Sequence, residues 1–163
     1  MFDRLRQFIR ARRRRAPERD HFALGNWGER EAVRHLRRCK YRLVLTNFIA
    51  PIGHRGDGRA VTGEVDIIAY DESTMPPTLT FIEVKTRSGD DVATPEAAVG
   101  RRKQRQIIRA ARLYRRLMRV SDEPYRYDVV SIVARPDHAP QITLWRGYFT
   151  EESVRRFRWQ ERR

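Results

Sequence analysis

Two short segments carry acids and a lysine at spacings that suit phosphodiester chemistry. Glu64 and Asp66 lie in GEVDIIAYD (residues 63–71), and Glu83 and Lys85 lie in LTFIEVKTR (residues 79–87). Side chains alternate faces along a strand, so Phe81, Glu83 and Lys85 would share one face while Ile82 and Val84 take the other. Glu64 and Asp66 would likewise share a face. Carboxylates brought together in an otherwise apolar sheet resist joint ionisation, and a hard divalent cation relieves that conflict. Mg2+, or Mn2+ in its place, takes oxygen ligands and is commonly held by one or two carboxylates plus substrate phosphate oxygens. Such an ion polarises a phosphodiester and acidifies an attacking water. Lys85 would either position that water or stabilise charge developing on the phosphoryl oxygens. The competing reading is a structural ion pair, Glu83 and Lys85 neutralising one another on a solvated face.

The surrounding chain must supply the elements that hold these residues. Both segments are rich in Val, Ile, Phe and Thr and read as strands, and the short link bearing Pro76 and Pro77 favours antiparallel pairing. Upstream, Ala23, Trp27, Ala32, Val33 and Leu36 recur at helical spacing over residues 22–40, followed by a strand at 41–48 (YRLVLTNF) that Asn47 begins to leave. Residues 49–62, with Pro51, Gly53, Gly56 and Gly58, read as an extended loop or flap. Downstream, Thr94, Pro95 and Glu96 form a helix-start signal, and the helix is expected to run to Arg119. Strands at 127–134 and 141–146 and a closing helix at 150–157, capped by Thr150, complete an α-β-β-β-α-β-β-α order. That order predicts an α/β fold, a mixed central sheet flanked by helices.

A chain of 163 residues fits one domain, and the expected organisation is a basic, flexible N-terminal arm over residues 1–20 and a single α/β domain over 21–163. In the arm, Phe2, Leu5, Phe8 and Ile9 fall on one helical face opposite arginines. The formal net charge of +14, from 35 Lys and Arg against 21 Asp and Glu, points to a polyanionic partner. Arginine, whose planar fork matches phosphate, dominates the basic set, so that partner is expected to be nucleic acid. Arg87, Arg101, Arg102, Lys103 and Arg105, just after the acids in sequence, are the expected phosphate contacts. The single cysteine, Cys39, excludes an intramolecular disulfide, and four scattered histidines without HxxxH or HExxH spacing argue against zinc. No apolar run approaches membrane-spanning length, so no membrane partner is expected and the cytoplasm is the expected location.

The ordered motifs resemble those of the YraN-like family of small bacterial proteins, within the PD-(D/E)xK nuclease superfamily. The matching pieces are GNWGEREAVRHL (25–36), Thr46 and Asn47, GEVDIIAYD, FIEVKTR (81–87), then Pro95, Ala98 and Lys103, and YDVVSI (127–132). The resemblance implies a restriction-endonuclease-like core, with Asp66 and Glu83 as metal-binding acids and Lys85 as the catalytic lysine. It adds Glu29 from the first helix as a further acid at the metal, after the manner of Holliday-junction-resolvase-like members, and Glu64, which matches the family's Gly-Glu step, as either a supporting group behind the ligands or the partner of an arginine. Val65 stands where the superfamily has proline. The implied activity is endonucleolytic hydrolysis of DNA, rather than RNA, including branched or structured DNA. The alternative is a nucleic-acid-binding protein that keeps a nuclease fold without turnover, and assembly as a homodimer is left open.

Overall fold

The computed structural model describes residues 21–54, 56–88, 99–135 and 138–160, with the side chains of 21, 22 and 156–160 set aside. The expected N-terminal arm and the Thr94–Pro95 helix signal lie outside the described residues. Helix α1 spans His21–Arg38, β1 Tyr41–His54, β2 Ala60–Asp71, β3 Thr78–Ser88, α2 Arg101–Leu117, β4 Tyr125–Ala134, β5 Gln141–Phe149 and α3 Glu151–Gln160. The five strands form one sheet in the order β1-β2-β3-β4-β5. All neighbours are antiparallel except β3 and β4, which run parallel across the connection that contains α2. A parallel pair needs such a crossover, and a helix is its usual form. This is the mixed sheet flanked by helices that the sequence predicts, consistent with a restriction-endonuclease-like fold.

Each face of the sheet has its own core. On one face Ile67, Ala69, Ile82, Val84, Val130 and Ile132 pack beneath α1, which buries Leu24, Trp27, Ala32 and Leu36. On the other, Ile68, Leu79, Phe81 and Val129 meet α2 through Ile107, Ala110, Ala111 and Tyr114. The Tyr114 ring stands edge-on to Phe48 of β1 and Phe81 of β3, with centroids 5.3 and 5.8 Å apart, an arrangement that suits aromatic quadrupoles. Thr150 caps α3 as expected: its Oγ1 accepts from the Ser153 N–H at 3.0 Å, and Ser153 Oγ accepts from the Thr150 N–H at 3.0 Å. Each partner satisfies an otherwise orphaned donor.

Two expectations are corrected. Residues 49–54 and 60–62 are strand rather than flap, so β1 and β2 form one long hairpin whose turn begins after His54. Pro51 is tolerated because β1 is the edge strand, where a missing N–H need not break a ladder. Irregularities between Leu43 and Leu45 and between Pro51 and Gly53 absorb the turn-forming residues as bulges, and Asn47 adopts φ 54° without ending the strand. The second correction concerns α2, which begins at Arg101. Gly100, with φ −63° and ψ 153°, is extended and serves as its N-cap without a side-chain cap. The residues from Thr94 to Arg119 therefore do not form one continuous helix.

Candidate active site

The acids are positioned where β2 and β3 part company. Their antiparallel pairing runs from Asp71 opposite Thr78 to Ile67 opposite Ile82, and no partner pairs are formed beyond it. At the next position the ladder is replaced by a side chain: Asp66 Oδ2 accepts the Val84 backbone N–H at 2.7 Å. That bond fixes the Asp66 carboxylate against β3. Burial and the neighbouring Glu83 charge push its pKa up to about 7, against the opposing pull of the Val84 N–H and of Lys103 and Lys85.

Glu83 is 1% exposed, on the α2 side of the sheet with Phe81. Lys85 Nζ lies 2.7 Å from its Oε1 and Lys103 Nζ lies 3.1 Å from its Oε2. The Glu83–Lys85 ion pair considered from sequence does form, but on a buried carboxylate rather than a solvated face, and only the lysine side chains, 38% and 27% exposed, reach water. Both Glu83 oxygens lack an aligned hydrogen bond despite these close ammonium groups. A buried carboxylate is costly unless it is paired, and here the two ammonium groups offset that cost, one on each oxygen.

Lys103 belongs to this cluster because α2 is drawn tightly onto β2. A Cβ added at Gly63 would lie 2.8 Å from the backbone oxygen of Gln106, a contact real side chains do not make. Glycine at this position lets the helix approach. Burial disfavours the Lys103 charge, but Glu83 and Asp66, helped by Glu64, outweigh it and raise its pKa. Glu64 is exposed and acts on the cluster through Lys103. On the opposite face, a Cβ at Gly28 would fall 1.8 Å from Thr86 Oγ1, so α1 lies directly on β3 beside Lys85.

Glu29 follows that contact and is half-buried. Among the described residues, however, no three His, Cys, Asp or Glu side chains come together as a metal-holding group, so Glu29 and Glu64 do not join Asp66 and Glu83 in one donor set. The pair that remains fits Mg2+ or Mn2+, since such ions are held by one or two carboxylates with water and substrate oxygens completing the shell.

Arg102, Arg105, Arg109, Arg112 and Arg116 follow one another at spacings of three, four, three and four residues, forming one stripe of α2 about 21 Å long at 1.5 Å per residue. The helix contains no acidic residue. Arg112 is neutralised by Glu151, whereas Arg102, Arg105, Arg109 and Arg116 face no carboxylate among the described residues. Arg109, Arg112 and Arg116 border a groove of about 570 Å3 that Pro51 and Ile52 of β1 also line. Arg87 continues the Glu83 and Lys85 face of β3, and Arg101 opens α2; both have interaction partners.

A family model described as "Uncharacterised protein family UPF0102" matches residues 28–132. A UPF0102 protein of Geotalea uraniireducens is 40% identical over 123 residues, covering 76% of this chain and 86% of the relative. Others from Syntrophotalea carbinolica and Solibacter usitatus are 38% and 37% identical, covering 72% and 86% of this chain and 84% and 92% of theirs. The chain belongs to the UPF0102 family. This is the YraN-like family to which its motifs point. The UPF0102 match runs from Gly28 of α1 to Ile132 of β4, so it contains every residue of the cluster, while β5 and α3 lie beyond it.

Sequence reasoning grouped Lys103 with the outer phosphate contacts and missed its place beside Glu83. A signal was available in the spacing alone. Lys103 stands four residues before Ile107, seven before Ala110, eight before Ala111 and eleven before Tyr114, which puts it on the buried stripe rather than the solvated one.

Proposed function

We propose that this protein is a metal-dependent nuclease that hydrolyses phosphodiester bonds in DNA, including branched or otherwise structured DNA, in the cytoplasm. The observation carrying this reading is half-buried Asp66 beside buried Glu83 at the point where β2 and β3 separate, with Lys85 and Lys103 on the rim. Asp66 and Glu83 would hold Mg2+ or Mn2+, which supplies Lewis-acid polarisation of the phosphodiester and a more acidic attacking water. Val84 N–H keeps the Asp66 carboxylate aimed into the site. Lys85, tethered to Glu83 but open to water, is suited to hold the attacking water or to meet charge on a phosphoryl oxygen. The arginine stripe of α2 would carry the backbone phosphates leading to the site. Fold alone does not fix activity, so the reading rests on the residues.

The test is a cleavage panel of duplex, junction and single-stranded substrates with Mg2+ or Mn2+, comparing wild type with Asp66→Ala, Lys85→Ala and Glu29→Gln. Cleavage by wild type that Asp66→Ala abolishes is expected. Absence of cleavage on every substrate with either ion counts against catalysis. Glu29→Gln separates a three-acid site, where activity falls, from the two-acid pair, where it persists.

A second reading is a nucleic-acid-binding protein without turnover, favoured by the gathering of only two carboxylates among the described residues. It predicts binding that survives Asp66→Ala with no metal-dependent cleavage in wild type.

A further inference from the structure

Lys103 and Lys85 differ in how they are attached to Glu83. Lys85 is two residues along the same strand, so its ammonium accompanies Glu83 wherever β3 goes. Lys103 comes from α2, whose backbone is fixed against Gly63, and reaches Glu83 Oε2 through its own flexible stem, part of which is in water. Its ammonium holds the Glu83 oxygen that Lys85 does not, so its departure would leave the carboxylate still paired by Lys85. The charge balance gives a reason for it to leave. Asp66 and Glu83, when ionised, are matched by Lys85 and Lys103, so the cluster is neutral without a metal. A divalent ion added to that set leaves an excess of two positive charges in a buried place, which the two ammonium groups oppose. A phosphodiester arriving at the rim supplies negative charge and offers Lys103 a new partner. Removing Lys103 from Glu83 also frees one of its two carboxylate oxygens, Oε2.

We propose that Lys103 is an internal counterion occupying Oε2 of Glu83, and that nucleic-acid phosphate must draw it away before the site holds a divalent ion. Metal and nucleic acid then load together, and the free protein is weak for metal. The inference rests on the metal-dependent reading above and adds to it an order of assembly, with Lys103 as a positioning residue that hands its charge from Glu83 to the substrate.

The experiment measures Mn2+ binding to the full chain by the loss of the free-ion paramagnetic resonance signal, with and without a phosphorothioate-linked duplex that resists cleavage. Wild type, Lys103→Met and Lys103→Arg are compared, with circular dichroism to confirm folding. A cation within about 4 to 6 Å shifts proton binding at a carboxylate by roughly 1 to 3 log units, and it opposes a metal cation in the same sense, so Lys103→Met should bind Mn2+ about tenfold or more tightly in the absence of duplex. Lys103→Arg, which keeps the charge, should resemble wild type. In wild type the duplex should tighten Mn2+ binding, and Mn2+ should tighten duplex binding by the same factor. In Lys103→Met that mutual effect should shrink. Equal Mn2+ affinity of wild type and Lys103→Met without duplex overturns the inference and leaves the metal-dependent reading standing. Absence of Mn2+ binding in all three proteins, with or without duplex, overturns both.

Discussion

Replacing Asp66 by asparagine should make the protein more stable at neutral and alkaline pH. Asp66 titrates near 3.8 when exposed and near 7 in the folded chain, raised by burial and by Glu83. Between those values the folded chain retains a proton that the unfolded chain has lost, so stability falls as pH rises through this window. Each pKa unit corresponds to 1.36 kcal/mol, so the cost reaches on the order of 4 kcal/mol above pH 7. Asparagine keeps an oxygen to accept the Val84 N–H and removes the like charge beside Glu83. Below about pH 4 wild type and Asp66→Asn should unfold alike, because Asp66 is then neutral in both states of the wild type. The advantage of the variant should grow with pH and level off above about pH 7. At 2 to 4 °C per kcal/mol for a chain of this size, a rise in Tm of order 10 °C is expected. Paired urea and thermal unfolding curves from pH 4 to 8 without divalent metal test this. A variant no more stable than wild type at pH 8, or an advantage that does not change with pH, refutes the argument that Asp66 is held at a cost.

Other perturbations test the supporting structure. Gly63→Ala should lose about 1 to 3 kcal/mol in denaturant unfolding, because the new methyl meets the Gln106 backbone oxygen rather than a movable side chain. Arg126→Met should cost about 1.5 to 3 kcal/mol, since Arg126 donates 2.7 Å bonds to both Asp71 and Asp128, each fully buried, and its loss leaves Asp71 to Ser73 and Arg146 and Asp128 to Tyr41 and the Gly147 N–H. Asp71 itself should support stability above about pH 4 and lose that support as pH falls toward 2. Burial alone would raise its pKa, but hydrogen bonds from Arg126 and Ser73 hold it at about 2, worth about 2 kcal/mol, and acid unfolding of wild type against Asp71→Asn measures the loss. Arg109→Gln combined with Arg116→Gln should flatten the log-log salt dependence of duplex binding by about 0.9 for each phosphate contact removed; an unchanged slope shows that the stripe does not touch the backbone.

The parts legible in the sequence are those governed by local pattern. All eight described elements appear in the expected order because each carries either a helical period or a run of β-branched and aromatic residues, and the Glu83 and Lys85 face followed directly from strand alternation. What the sequence concealed depends on partners distant along the chain. Pro51 and Gly53 normally announce a loop, but an edge strand with bulges accepts them, and edge position is a property of the sheet rather than of the segment. Glu29 and Lys103 show the same difference at the site. Both are charged residues on helices flanking β3, and the motif order gave Glu29 the chemical role and Lys103 the peripheral one. Among the described residues it is Lys103 that reaches Glu83, because glycine at position 63 lets α2 come down onto β2, whereas no third acid gathers around the pair. A motif lists which residue types are available for chemistry; the close approach of two backbones decides which of them arrive. Gly63 and Lys103 should therefore be functionally coupled: a methyl group at Gly63, by lifting α2, should weaken the hold of Lys103 on Glu83 even though position 63 carries no chemistry of its own.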